Sequence, residues 1–78
     1  HVATGVTIGG TSKKYEVPVI GSNCLIGTGA KILGPVKIGN NCVIGANAVV
    51  LRDIPDNCMA AGVPALIKKR DIDINNYI

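Results

Sequence analysis

The sequence predicts an all-β fold: a three-sided parallel β-helix wound from six-residue repeats. Three observations carry this reading. Aliphatic residues recur every six positions at Ile20, Ile26, Ile32, Ile38, Ile44 and Val50, followed by Gly at 21, 27, 39 and 45 and by Leu at 33 and 51. A small or aliphatic residue stands four places after each starter: Cys24, Ala30, Val36, Cys42, Ala48 and Ile54. A longer period of eighteen lies on top, linking Cys24 with Cys42, Ala30 with Ala48, Val36 with Ile54, Leu33 with Leu51, and Asn23 with Asn41.

A period of six fits neither an amphipathic helix nor a strand that alternates along its whole length. It fits a solenoid in which each hexad is one short strand and one turn. Three hexads make one coil, and equivalent residues of successive coils stack at the strand spacing of roughly 4.8 Å. The starter points into the prism, the residue four places on follows it inward, and Gly helps the chain turn. Ordinary short strands in a sandwich have no reason to keep six starters in one register.

Composition agrees. A chain of 78 residues is one domain near the lower limit for an independent core. It is 47% hydrophobic yet has neither Trp nor Phe, which suits a narrow prism filled by aliphatic layers. The formal charge is +3, with basic residues at Lys13–Lys14 and Lys68–Lys69–Arg70. That run is short and lacks interleaved aromatics, which argues against a nucleic-acid binder. No stretch resembles a signal peptide or a membrane span, and the chain reads as cytoplasmic. Of three Cys, two occupy interior positions where Ala and Val also occur, so they read as reduced packing residues. With no CxxC pair and a single His, neither a disulfide nor a metal site is expected.

In chain order, Val2, Val6 and Ile8 already keep the repeat, with no initiator Met and no cap, which predicts a section of a longer chain. Residues 10–18 break the hexad count, and their Gly, Ser and Lys content reads as a loop thrown out of the coil, either functional or a tolerated insertion. The register resumes at Ile20 and ends after Ile54-Pro55-Asp56-Asn57. A last strand is expected at Cys58-Met59-Ala60-Ala61, then a turn at 62–65. Leu66 to Arg70 is expected to cover the end of the prism. The division is therefore 1–58 for the coils, with the 10–18 excursion, and 59–78 for a cap and a tail. The tail from Asp71 to Ile78 is left either disordered or docked on a neighbour.

These hexads of the type Ile-Gly-x-x-small-x, closed by Ala-Ala-Gly-Val-Pro-Ala at 60–65, resemble the left-handed β-helix acyltransferases. Residues 6–11, 26–34 and 44–50 are most similar to serine acetyltransferase, and the resemblance covers about residues 2–69. It implies a left-handed coil, a homotrimer, and acetyl-CoA lying in the groove between neighbouring prisms. It also implies a His general base that activates the acceptor hydroxyl for direct attack, so no acyl-enzyme and no nucleophilic role for Cys58 are needed. His suits that task because its pKa lies near neutrality.

Carried over by position, the resemblance makes Thr28 and Ala46 cofactor-groove residues, and Arg52 and Lys69 the basic residues that meet CoA phosphates. Lys68–Arg70 as a plain solvated cluster remains the alternative. His1, the only His, is the candidate catalytic base, although in serine acetyltransferases the principal catalytic His comes from an earlier coil. Two features point to different acceptors. Serine enzymes carry Arg-His-Pro where this chain has Glu16-Val17-Pro18, and a Glu does not grip the serine carboxylate, which favours a sugar or polysaccharide hydroxyl. The ending Asn76-Tyr77-Ile78 is similar to serine acetyltransferase tails whose terminal Ile enters O-acetylserine sulfhydrylase. The expectation is an acetyl-CoA-dependent O-acetyltransferase acting on serine, with a sugar O-acetyltransferase as the alternative and a non-catalytic scaffold as a distant third. Zinc-dependent relatives need several His ligands.

Overall fold

The computed structural model describes residues 4–9 and 17–77. Nine short strands follow one another: β1 (Thr7–Gly9), β2 (Val19–Ile20), β3 (Leu25–Ile26), β4 (Lys31–Leu33), β5 (Lys37–Ile38), β6 (Val43–Ile44), β7 (Val49–Val50), β8 (Met59–Ala61) and β9 (Leu66–Lys69). They form three sheets, ordered β1-β4-β7, β2-β5 and β3-β6-β8-β9. Each of the first seven strands except β5 and β7 pairs with the strand three places later or, for β6, with β8, always in parallel. That is the hydrogen-bonding pattern of a three-sided parallel β-helix, with the sheets as its faces.

The core is the stack of starters. Ile26, Ile32, Ile38, Ile44 and Val50 are all less than 2% exposed, and Cys24, Ala30, Cys42 and Ala48 are buried beside them. Rungs of backbone bonds tie the coils, such as Gly27 N–H to the Ile44 carbonyl at 2.8 Å and Lys31 N–H to the Ala48 carbonyl at 2.7 Å. In the first described coil the layer is less enclosed, with Ile8 45% exposed.

The glycines after the starters do a different job from the one expected. The left-handed turn positions are taken by Asn23, Gly29, Asn41, Asn47 and Asn57, each with φ between 56° and 74°. Asn tolerates this region better than most residues, which explains its recurrence at the corners. Gly21, Gly27 and Gly39 instead permit close approach between coils: a Cβ on Gly27 would lie 2.6 Å from the Ala46 nitrogen.

The eighteen-residue period also fails at one place. Ile54 was expected to match Val36, but it forms a parallel bridge with Ile38, sixteen residues away. Ile54 N–H donates to the Lys37 carbonyl and Gly39 N–H to the Ile54 carbonyl, at 2.9 and 2.7 Å. Ile54 therefore takes a starter's place, and the corner before it is two residues shorter than its counterpart at 34–36. Asp53 makes this possible, because its Oδ1 accepts the Lys37 N–H at 2.8 Å where a strand carbonyl would otherwise serve.

The C-terminal end is closed by the chain itself. After the turn at 62–65, β9 pairs antiparallel with β8, and Ala65 and Ile67 pack against the core. The tail then returns to the prism: Ile72 N–H donates to the Asn57 carbonyl at 2.9 Å, and a 3-10 turn follows at Ile74–Asn76. Asp73 caps that turn by accepting the Asn75 N–H at 3.0 Å. Residues 71–77 thus rest on the chain's own last corner.

Candidate cofactor groove

Thr28 and Ala46 occupy equivalent places in successive coils, at the corner that joins the β3-β6-β8-β9 face to the β1-β4-β7 face. The backbone beneath them is tightly stacked, with Asn47 N–H donating to the Thr28 carbonyl at 2.9 Å. Because Gly27 brings the two turns so close, Ala46 lies directly over the preceding coil and its Cβ stays outside. Thr28 and Ala46 are both exposed, so they present one short hydroxyl and one methyl along a corner otherwise made of backbone. A long, flexible ligand can lie against such a corner without steric obstruction.

Arg52 lies at the next corner, on the far side of the β1-β4-β7 face. At this corner residues 34–36 join β4 to β5, and the next passage is the shortened one at Arg52–Asp53; residues 10–16 of the expected excursion lie outside the described residues. Arg52 opens onto two grooves that share Ala65 and Leu66. One, of about 220 Å³, is lined by Leu51, Arg52, Pro64, Ala65 and Leu66. The other, of about 320 Å³, adds Asp53, Ile54, Ile67 and Arg70. Together they are lined by Leu51, Ile54, Pro64, Ala65, Leu66 and Ile67 with Arg52 and Arg70 among them, and Asp53 is committed to the Lys37 N–H. Arginine is suited to such a place because its planar fork engages phosphate oxygens two at a time.

Lys69 is elsewhere. On β9 it pairs with Met59 of β8 and does not line this groove, whereas Arg70 does. Within the basic run 68–70 the resemblance pointed to Lys69, whereas the residue of that run that lines the groove is Arg70. The choice is made by an irregularity in the β8–β9 pairing, which matches Met59 with Lys69 but Ala60 with Ile67. His1, Glu16 and Ile78 lie outside the described residues. Among the described residues, no three His, Cys, Asp or Glu side chains come together as a metal site, and no helix is long and apolar enough to cross a membrane.

Residues 18–52 match the family model for the bacterial transferase hexapeptide of six repeats. The serine acetyltransferase of Haemophilus influenzae is 43% identical over 97% of this chain, which corresponds to 32% of that protein. The structure of serine acetyltransferase from Brucella abortus strain S19 in complex with coenzyme A superposes with a TM-score of 0.79 at 47% identity, over 85% of this chain and 27% of that one. A maltose O-acetyltransferase from Clostridium difficile 630 superposes with a TM-score of 0.68 at 45% identity, over 72% of this chain and 29% of that one. The chain thus spans about a third of the length of the relatives it matches. Repeat, fold and relatives agree: the chain belongs to the hexapeptide-repeat acyltransferases, wound as left-handed β-helices, and within them it is most similar to serine acetyltransferase.

Proposed function

We propose that this chain is the cofactor-binding coil section of an acetyl-CoA-dependent serine O-acetyltransferase. The observation that carries the reading is the groove at Arg52. An apolar wall with two arginines fits a ligand that joins an aliphatic arm to phosphates, and a similar protein has been solved with coenzyme A. In this reading Arg52 and Arg70 hold phosphate oxygens, Thr28 and Ala46 border the arm, and Lys69 adds long-range positive charge only. Bound acetyl-CoA supplies an acetyl group activated as a thioester. The protein's own task is to take the proton from the acceptor hydroxyl as that oxygen attacks, and His1 or a histidine of another coil is the group suited to it.

The groove lies open at one side of a single prism, so a second copy packed beside it would close it. A homotrimer of parallel prisms does this for each copy, and the exposed Leu51, Val63 and Leu66 supply apolar surface for such contact. Binding of O-acetylserine sulfhydrylase through Ile78, and a cytoplasmic location in which the three thiols stay reduced, complete the proposal.

A sugar O-acetyltransferase is the second reading. Glu16-Val17-Pro18 favours it, as does the likeness to the maltose enzyme. Calorimetry with coenzyme A tests what both readings share: micromolar binding that weakens with salt supports an acetyltransferase, whereas no binding leaves a scaffold.

A further inference from the structure

Asp53 lines the groove together with Arg52 and Arg70. A carboxylate repels the phosphates assigned to that groove, so its presence there has to come from another task. The hydrogen bonds between coils show that task. Val19 pairs in register with Lys37, and Ile20 with Ile38. Val19 N–H donates to the Val36 carbonyl at 2.9 Å, and Gly21 N–H to the Ile38 carbonyl at 2.8 Å. One coil further on, Gly39 N–H donates to the Ile54 carbonyl at 2.7 Å, but Lys37 N–H donates to Asp53 Oδ1 at 2.8 Å. Arg52 stands two places before Ile54, as Val36 stands two places before Ile38. By this register the Lys37 rung belongs to the Arg52 carbonyl, and the Asp53 side chain takes it instead.

The exchange changes where residue 52 stands. Val36, kept on its rung, is 5% exposed and belongs to the core. An arginine in that interior place would bury a charge among aliphatic residues, which is strongly unfavourable. With the carboxylate on the rung, Arg52 is exposed and lines both grooves that share Ala65 and Leu66. The bond is charge-assisted, and so stronger than the carbonyl bond it replaces. Asp56 makes a similar bond at the following corner, accepting the Asn40 N–H at 2.7 Å, yet it lines neither groove.

We propose that Asp53 is a positioning residue for cofactor binding: by taking the Lys37 N–H it holds Arg52 out of the coil and in the groove. It acts through Arg52 and makes no bond to the ligand. The proposal rests on the reading of the Arg52 groove as the coenzyme A site. Two effects of Asp53 oppose each other there. Its charge weakens phosphate binding, while its bond to Lys37 strengthens that binding by fixing the guanidinium. In a positioning role the second effect wins, so loss of the carboxylate weakens coenzyme A binding. Charge acting alone would give the opposite sign, tighter binding.

The test is calorimetric titration of the whole protein and its variants with coenzyme A. Asp53→Ala should raise the Kd by about three- to tenfold, because a misplaced guanidinium binds less well than a fixed one. Asp53→Asn keeps an acceptor for the Lys37 N–H and removes the charge, so its Kd should equal or fall below that of the unaltered protein. Asp53→Glu keeps the charge but sets the carboxylate one methylene too far. It should raise the Kd, which keeps the test decisive if Asp53→Ala does not fold. Asp56→Ala loses a bond of the same kind outside the groove and should leave the Kd unchanged. With Arg52→Ala weakening binding, any of three results would overturn the proposal alone: an unchanged or lowered Kd in Asp53→Ala or Asp53→Glu, a loss in Asp53→Asn as large as in Asp53→Ala, or an equal loss in Asp56→Ala. An unchanged Kd in Arg52→Ala would overturn the groove reading and the proposal with it.

Discussion

Ile54 sits beside Ile38, not beside the position eighteen residues before it, and that displacement of two residues shapes the corner that carries Arg52. Asp53 fills the gap with its carboxylate, accepting the Lys37 N–H at 2.8 Å. Asp53→Ala should therefore destabilise the fold by about 0.5–1.5 kcal/mol, the usual worth of one such hydrogen bond. Asp53→Asn, which keeps an acceptor, should lose less. Urea unfolding of the two variants checks the order.

The coils also fit closely at Gly27, where an added Cβ would lie 2.6 Å from the Ala46 nitrogen and 2.9 Å from its Cα. The atoms it would meet belong to backbone and cannot swing away. Gly27→Ala is expected to cost about 1–3 kcal/mol by overpacking, and to weaken coenzyme A binding by shifting Thr28 and Ala46. Gly9→Ala meets nothing within 4 Å and should leave the melting temperature nearly unchanged.

Arg52 and Arg70 share a groove from which Lys69 is absent. Removing either arginine should raise the KM for acetyl-CoA by roughly ten- to a hundredfold, as expected for a charge-assisted hydrogen bond worth about 1.5–3 kcal/mol. Lys69→Ala should change it by no more than about twofold, in keeping with the small worth of a solvent-exposed charge. Steady-state kinetics at two salt concentrations separates the groups: equal losses for all three would mean that only net charge matters.

Burial raises the pKa of the Cys42 thiol in the folded protein. The unfolded chain then loses this proton first, so it binds fewer protons than the folded chain once pH passes the ordinary thiol value of about 8.5. Stability from this group is full below that pH and falls as pH rises above it. Cys42→Ala should flatten the alkaline side of the stability profile, measured by thermal melts across that range.

Most of the fold was legible because a solenoid repeats its physics in the sequence. Each starter from Ile26 to Val50 lies in the core, as its spacing requires, and each partner four places on is buried. The spacing did not reveal the shortened corner, because Ile54 is apolar and satisfies either count; only the bond between Asp53 and Lys37 decides. Likewise the recurrent Gly was visible, but not whether it served a turn or a close approach, since both exclude a Cβ. Asn23, Asn41 and Asn57 were the better turn signal. At the candidate site, Thr28, Ala46 and Arg52 were named from the family resemblance, and the structure places Thr28 and Ala46 at one exposed corner and Arg52 at the next. Arg70 was not named, because β9 lies beyond the repeat and its register depends on an irregular pairing with β8.

The most direct test of the central claim is acetyl transfer by the whole protein, followed as release of the CoA thiol with L-serine and with maltose as acceptors. The account predicts turnover with L-serine well above that with the sugar, and its loss when Arg52 and Arg70 are both replaced by Ala. Turnover with the sugar alone would contradict the serine assignment and make Glu16-Val17-Pro18 the better guide to the acceptor. No release with either, in a protein that still folds, would contradict acetyl transfer itself.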